Sequence, residues 1–169
     1  KAKKFNWISE KMEDLVKSGL PPRLCHNDTK IDNILLTKGS NEFKFVIDLD
    51  TVGPGYVLYD FGDMMRTLLS PTKENELDES KVQLRVDYLE KIHQAFLNES
   101  EHMLSPLEKT SLIFGGLYMT YMIAIRFLAD FINGDTYYKV SFPEENMIRA
   151  RNQFRLLELM EDWSDSHQN

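Results

Sequence analysis

Residues 25–51 read CHNDTKIDNILLTKGSNEFKFVIDLDT, and the fold and the chemistry of the chain are both organised around them. Two short apolar runs, Ile34-Leu35-Leu36 and Phe43-Lys44-Phe45-Val46-Ile47, flank the Gly-containing turn Lys38–Glu42. Apolar, β-prone runs separated by a few turn residues predict a β-hairpin. Folding that hairpin about the Ser40/Asn41 midpoint sets Leu36 against Phe45, Ile34 against Ile47 and Asn33 against Asp48. Directly opposed residues of an antiparallel pair lie ~4.5–5.5 Å apart, so this register lets Asn33 and Asp48 share one cation. A slip of one residue would undo the pairing. Asp28 lies on the segment leading in, and Asp50 is expected on the same strand face as Asp48.

Outward from the hairpin the pattern becomes helical. Phe5, Ile8, Met12, Leu15 and Val16 follow helical spacing over residues 4–17, with Ser18-Gly19 closing the helix and Pro21-Pro22 stopping it. Gly53-Pro54-Gly55 predicts a sharp turn, and helical spacing resumes over 58–69. Residues 70–81 are polar and acidic and predict an exposed loop, with 73–79 a solvated face. A helix is expected from about Ser80 to Leu97. Ser105-Pro106-Leu107-Glu108 combines a capping box with proline in the first turn, which predicts a helix start. That helix should run to Ile132 and end at Asn133-Gly134. It is apolar nearly all round and therefore central, with Gly115-Gly116 allowing another backbone close. A last helix is expected over about 144–160. The fold class is thus mainly α with one small β-hairpin.

Composition narrows the function. At 169 residues and 42% hydrophobic content the chain can bury a real core as one domain or lobe. A net charge of −7 leaves no excess of Lys and Arg to meet a nucleic-acid backbone. The single cysteine, Cys25, excludes an internal disulfide, and the expectation is a cytoplasmic protein with Cys25 buried and inert. The uncharged run Thr110–Ile125 falls short of the ~20 apolar residues of a membrane span and carries Ser, Thr and Tyr, so a core helix is expected and no membrane partner.

Phosphoryl transfer needs a group to orient or deprotonate the acceptor, ligands for Mg²⁺, and positive charge near the moving phosphoryl. His26-x-Asp28-x-x-x-x-Asn33 has the Asp-to-Asn spacing of the kinase catalytic loop H-R-D-x-x-x-x-N, Asp48 follows, and Lys30 lies two residues after Asp28. Taken together, HNDTK, the following Asn33, VIDLDT and LYDFGDMMR resemble the aminoglycoside phosphotransferase and choline kinase superfamily, which is protein-kinase-like. The stretch 112–138, including RFLADFINGD at 126–135, narrows the resemblance to the N-acetylhexosamine 1-kinases, relatives of which also carry the label mucin desulfatase. The lone cysteine has no sulfatase-type C-x-P-x-R context.

The resemblance implies the helical C-terminal lobe of such an enzyme, with the nucleotide-gripping lobe outside these residues. It implies ATP and Mg²⁺ as co-substrate and cofactor, and transfer to the anomeric hydroxyl of a GlcNAc- or GalNAc-type sugar. Asp28 would be the acid–base group, with Lys30 meeting phosphate oxygens. Asn33 and Asp48 would hold the metal, and Asp50 would assist it or form a structural hydrogen bond. His26 would brace the loop and Asp60 would tie its helix to it. Arg126 and Tyr137 would contact the sugar, although by position alone Arg126 complements a helix dipole. Asp32 departs from the family pattern, which prefers Asn there.

Three other readings are carried forward. A choline or aminoglycoside acceptor would use the same lobe. FVIDLDTV at 45–52 also resembles the first motif of haloacid dehalogenase-type phosphatases, with Asp48 as nucleophile, although that fold needs further parallel strands. Last, the chain alone is a lobe that binds ATP weakly and turns over negligibly.

Overall fold

The structure is a computed structural model and describes residues 1–167. Among the described residues five α-helices, α1 (Asn6–Lys17), α2 (Val57–Leu68), α3 (Val86–Ser100), α4 (Pro106–Ile132) and α5 (Glu145–His167), surround a core. Four short strands, β1 (Arg23–Cys25), β2 (Ile34–Leu36), β3 (Phe43–Val46) and β4 (Gly53–Gly55), carry the loops between α1 and α2. The expected mainly helical fold with a small hairpin is the fold observed.

Helix α4 is the axis of the molecule. Its Ser105–Glu108 capping box forms in full: the Ser105 N–H donates to Glu108 Oε2 at 2.7 Å, and the Glu108 N–H donates to Ser105 Oγ at 3.3 Å. Arg23 of β1 adds a two-pronged pair to the buried Glu108 carboxylate, both bonds 2.8 Å, which locks the first strand to the start of the central helix. By length and composition α4 could cross a membrane, but here it packs against α2 on one side and α5 on another. Gly62 of α2 and Gly115 of α4 are why α2 lies so close. A Cβ on Gly62 would sit 2.1 Å from the Gly115 carbonyl oxygen, and one on Gly115 would sit 2.2 Å from the Leu58 carbonyl oxygen. Phe5, Ile8, Leu58, Phe61, Leu112 and Leu157 are all fully buried around this contact. Removing any one large side chain there would cost ~2–5 kcal/mol.

Four expectations need correction. First, the hairpin register differs by one from the symmetric fold. Ile34 pairs with Val46, Leu35 with Phe45 and Leu36 with Phe43, leaving Lys44 as a bulge, and the Ile47 N–H donates to the Asn33 carbonyl at 2.9 Å. Leu35, Leu36, Phe43 and Phe45 are all exposed, so neither face is held in place by burial, and loop closure with a bulge sets the register instead. Second, Gly53–Gly55 is a strand paired antiparallel with Arg23–Cys25. Third, residues 70–81 are strapped down: Asn152 Nδ2 donates to the Glu74 and Glu76 carbonyls, and Glu74 pairs with buried Arg66. The acidic run is therefore not a freely solvated face. Fourth, the third helix starts at Val86, after the Arg85 N–H bonds the Leu69 carbonyl, and the last continues to His167.

Candidate functional site

The segment 26–33 is held from two sides. From α2, the Asp60 carboxylate accepts the backbone N–H groups of His26 and Asn27, at 2.8 and 2.7 Å. Thr67 Oγ1 accepts the Ile31 N–H at 3.2 Å. From the hairpin side, His26 Nε2 meets the Ile47 carbonyl at 3.1 Å, and Thr51 Oγ1 donates to the His26 carbonyl at 2.7 Å. Asn27, with φ +64°, donates its amide to the Thr51 carbonyl at 3.0 Å. Its Oδ1 fills the space that a Cβ on Gly55 would occupy, 2.3 Å away, so Gly55 has to be glycine for this brace to exist. Asn27 and Gly55 are supports that the sequence reading passed over.

On this braced loop Asp28 Oδ2 accepts Lys30 Nζ at 2.7 Å and Asn33 Nδ2 at 2.9 Å, and Asn33 also reaches the Asp28 carbonyl at 2.8 Å. Burial works against the Asp28 charge. The hydrogen bonds from Lys30 and Asn33 outweigh it, and the carboxyl is held below its ordinary range. The Asp28 bond in turn raises the Lys30 ammonium above its ordinary value, against a smaller opposing effect of burial.

Because of the changed register, Asn33 does not lie opposite Asp48. Asp48 sits instead just beyond β3 in the left-handed region, φ +63° and ψ +58°, a conformation that Asp tolerates better than most residues. That turn brings Asp48 Oδ2 to 4.0 Å from Lys30 Nζ. Asp28, Lys30, Asn33 and Asp48 thus converge by a route different from cross-strand pairing. Asp50 is not on a strand face with Asp48. It lies on a one-turn 3-10 helix, Leu49–Thr51, exposed and making no side-chain hydrogen bond or ion pair among the described residues. Asp32 is exposed beside the same loop.

Among the described residues no three His, Cys, Asp or Glu side chains gather as a metal cage. The donor set near Asp28 nonetheless fits Mg²⁺, which takes one or two carboxylates and leaves its remaining positions to water and phosphate. Lys30 already shows that cationic charge is drawn between Asp28 and Asp48. Asn33 and Asp48 offer oxygens of that kind, and Asp50 lies exposed on the 3-10 turn that follows Asp48.

A cleft of about 730 Å³ lies alongside, within the size range of small-molecule sites. Its lining includes Asp28, Lys30 and Asp32 from the loop, and also Arg126, Tyr137 and Tyr138 from the far end of the chain. Arg126 donates to the Tyr137 hydroxyl at 3.4 Å, and its guanidinium lies 5.5 Å from the Tyr137 ring and 5.6 Å from that of Tyr138. His26, Asn33, Asp48, Asp50 and Asp60 stand outside the lining.

Two further features escaped the sequence reading. Gln153 of α5 also lines the cleft, with its Oε1 buried and without a hydrogen-bond partner among the described residues. Asp130, buried near the end of α4, accepts the backbone N–H groups of Thr136, Tyr137 and Tyr138. An acid inside an apolar helix was the available signal for it.

The two antiparallel strand pairs are the only sheets among the described residues. The parallel sheet that a haloacid dehalogenase-type nucleophile requires is not formed there. Cys25 is buried, and burial pushes its thiol up to about 11. The model of the phosphotransferase enzyme family matches residues 1–93, more than half of the chain. The match takes in Asp28, Lys30, Asn33, Asp48 and Asp60 and ends within α3, before Arg126 and Tyr137.

Proposed function

The chain belongs to the phosphotransferase enzyme family, and on that premise we propose that it is the helical lobe of an ATP-dependent sugar kinase that phosphorylates the anomeric hydroxyl of an N-acetylhexosamine. The observation that carries this reading is that one cleft is lined both by the Asp28–Lys30 pair and by Arg126 and Tyr137, residues about a hundred positions apart. Arg126 and Tyr137 offer a cation and a phenol to sugar hydroxyls, and the exposed Tyr137 ring offers a flat apolar face to the pyranose.

Asp28 orients the anomeric hydroxyl and takes its proton as the bond from the sugar oxygen to the γ-phosphorus of ATP forms and the bond from that phosphorus to the bridging β-phosphate oxygen breaks, so that ADP leaves. That hydroxyl is more acidic than an ordinary alcohol, so a carboxylate suffices and positioning dominates. Lys30 presents positive charge to the transferring phosphoryl oxygens. Asn33 and Asp48 would hold Mg²⁺, which supplies neutralisation of the nucleotide phosphates. Asp60 and His26 keep the loop in place through the bonds described above. The protein works in the cytoplasm on this reading, with its one thiol buried.

The test is a panel of acceptors with labelled ATP and the full-length protein. GlcNAc or GalNAc should be the best acceptor, and the product should be the 1-phosphate. Strong turnover of choline or an aminoglycoside with none of either hexosamine would refute the acceptor. Residues 1–169 assayed alone should bind ATP weakly and turn over negligibly, and measurable kinase activity from them would refute that part of the reading.

A further inference from the structure

We propose that Asp130 is a positioning residue for the acceptor: its carboxylate staples the segment 136–138 to the end of α4 and thereby sets Tyr137 against Arg126 in the cleft. The proposal rests on the acceptor role given above to Arg126 and Tyr137. Asp130 Oδ1 accepts the N–H groups of Thr136 at 3.0 Å and Tyr137 at 2.8 Å. Oδ2 accepts the Tyr138 N–H at 2.9 Å and Asn146 Nδ2 at 3.0 Å. Both oxygens are thus engaged by donors, an arrangement only an ionised carboxylate can meet in full. Asn146, fully buried on α5, also donates to Asp135 Oδ1 at 2.9 Å, so the staple reaches the turn before the tyrosines as well.

The first part of the turn is held by backbone bonds, the Gly134 N–H to the Phe131 carbonyl at 3.1 Å and the Asp135 N–H to the Asp130 carbonyl at 2.9 Å, whereas the N–H groups of 136–138 are met by the Asp130 carboxylate. After Ile132 the chain passes through Gly134 at φ +85° and Asp135 at φ +56°, and 136–138 belongs to no helix or strand. Three consecutive N–H groups there would otherwise turn to water. With the carboxylate in place they are bonded inward, the Tyr137 ring lies exposed and the half-buried Tyr138 ring lies beneath it. Tyr138 packs on Phe127 at 4.7 Å, Tyr137 packs edge-on against Tyr138 at 4.8 Å, and Arg126 meets both. Asp130 and Arg126 lie one helical turn apart, so the same stretch of α4 supplies both the contact residue and the group that sets its partner.

The experiment compares the wild type with Asp130→Asn in the full-length protein. Asn keeps the shape but turns one acceptor into a donor, which faces either the Thr136 and Tyr137 N–H groups or the Tyr138 N–H and Asn146 Nδ2. The KM for the best acceptor should rise about tenfold or more, with kcat and the KM for ATP each within about threefold, the pattern of lost acceptor binding alone. Amide hydrogen exchange at 136–138 should quicken in the variant, while exchange in the rest of α4 stays as in the wild type. Asn146→Ser, which keeps the carboxylate but removes its side-chain donor, should move the same two readouts by less.

An unchanged acceptor KM in Asp130→Asn overturns the proposal. So does unchanged exchange at 136–138, whatever the acceptor turns out to be. If Asp130→Asn does not fold, Asn146→Ser decides by the same criteria. A wild type that phosphorylates neither hexosamine refutes the sugar reading instead, and the comparison is then made on the acceptor it does use.

Discussion

Gly62→Ala sets two opposing effects against each other, and the structure decides which wins. In an isolated helix the exchange gains about 1 kcal/mol, because glycine loses more backbone freedom on folding. Here the added methyl carbon would lie 2.1 Å from the Gly115 carbonyl oxygen and 2.5 Å from its carbonyl carbon. Ordinary contact begins near 3.4 Å, so α2 and α4 would have to separate by roughly 1.3 Å. A gap of ~1 Å forfeits a quarter to a half of the dispersion energy between facing atoms. That loss would fall on the interface holding Leu58, Phe61 and Met65, and overpacking of this kind costs ~1–3 kcal/mol. Both colliding groups are helix backbone and cannot rotate away, which places the cost at the upper end, ~3 kcal/mol. The net is a destabilisation of about 2 kcal/mol, or ~4–8 °C in Tm for a chain of this size.

The assay is urea unfolding followed by circular dichroism, with m expected to stay constant. Gly115→Ala should behave alike, since its methyl would meet the Leu58 carbonyl oxygen at 2.2 Å. The double variant should cost less than the two singles added, because helices already parted for one methyl have room for the other. Gly116→Ala is the internal control. The nearest atoms to its methyl are the ends of the Met65 and Met160 side chains, at 2.7–2.9 Å, and flexible thioethers can yield, so its stability should stay within about 0.5 kcal/mol of wild type. A Gly62→Ala protein as stable as the wild type, or more so, would refute the reasoning. The separation should reach the site as well: α2 carries Asp60, and moving that carboxylate ~1 Å from the His26 and Asn27 amides should lower kcat by up to about a hundredfold.

Asp28→Asn should reduce kcat by about 10²–10⁴-fold while leaving Tm close to wild type, as measured with labelled ATP and calorimetry; a variant with more than a tenth of wild-type activity would remove Asp28 from the chemistry. Glu108 should govern acid stability: the bonds from Arg23, stronger than the opposing effect of burial, pull its carboxyl from 4.5 to about 2. A depressed folded value means that its contribution is whole above about 4.5 and is lost as pH falls toward 2. With Arg23 40% exposed, screening reduces the contribution to about 1–2 kcal/mol, and Glu108→Gln should flatten the pH dependence of unfolding between pH 5 and about 2.5. Cys25 should resist iodoacetamide at pH 7.5 and react in urea in step with global unfolding; fast labelling of the native protein would contradict its burial.

The polar loop 26–33, the hairpin strands and the helix set could be read directly because each rests on short-range rules. Asp28 and Asn33 are five residues apart, and the two groups do meet. Ser105 and Glu108 are three apart, and the capping box closes. Gly115 beside a run of large apolar residues signalled a close backbone approach, though not that Gly62 would be the partner. The hairpin register was misread because the rule that normally fixes it, one buried face, does not operate on strands whose apolar side chains are exposed on both sides.

What remained hidden is what joins distant parts of the chain. The sequence by itself determined the helical class, the two hairpin strands and the meeting of Asp28 with Asn33, since backbone propensity and residue spacing act locally. Only the tertiary structure decided that Asp48 reaches Lys30 through a left-handed turn and that Asn27 and Asp130 brace the segments they hold; the tie of Asp60 to the loop was implied by the resemblance, and the structure supplies its two bonds and the cleft that Arg126 and Tyr137 share with Asp28. Those relations depend on how α2 and α5 pack about α4, and that packing is set by the shapes of side chains and glycines far apart in sequence, which no local pattern records.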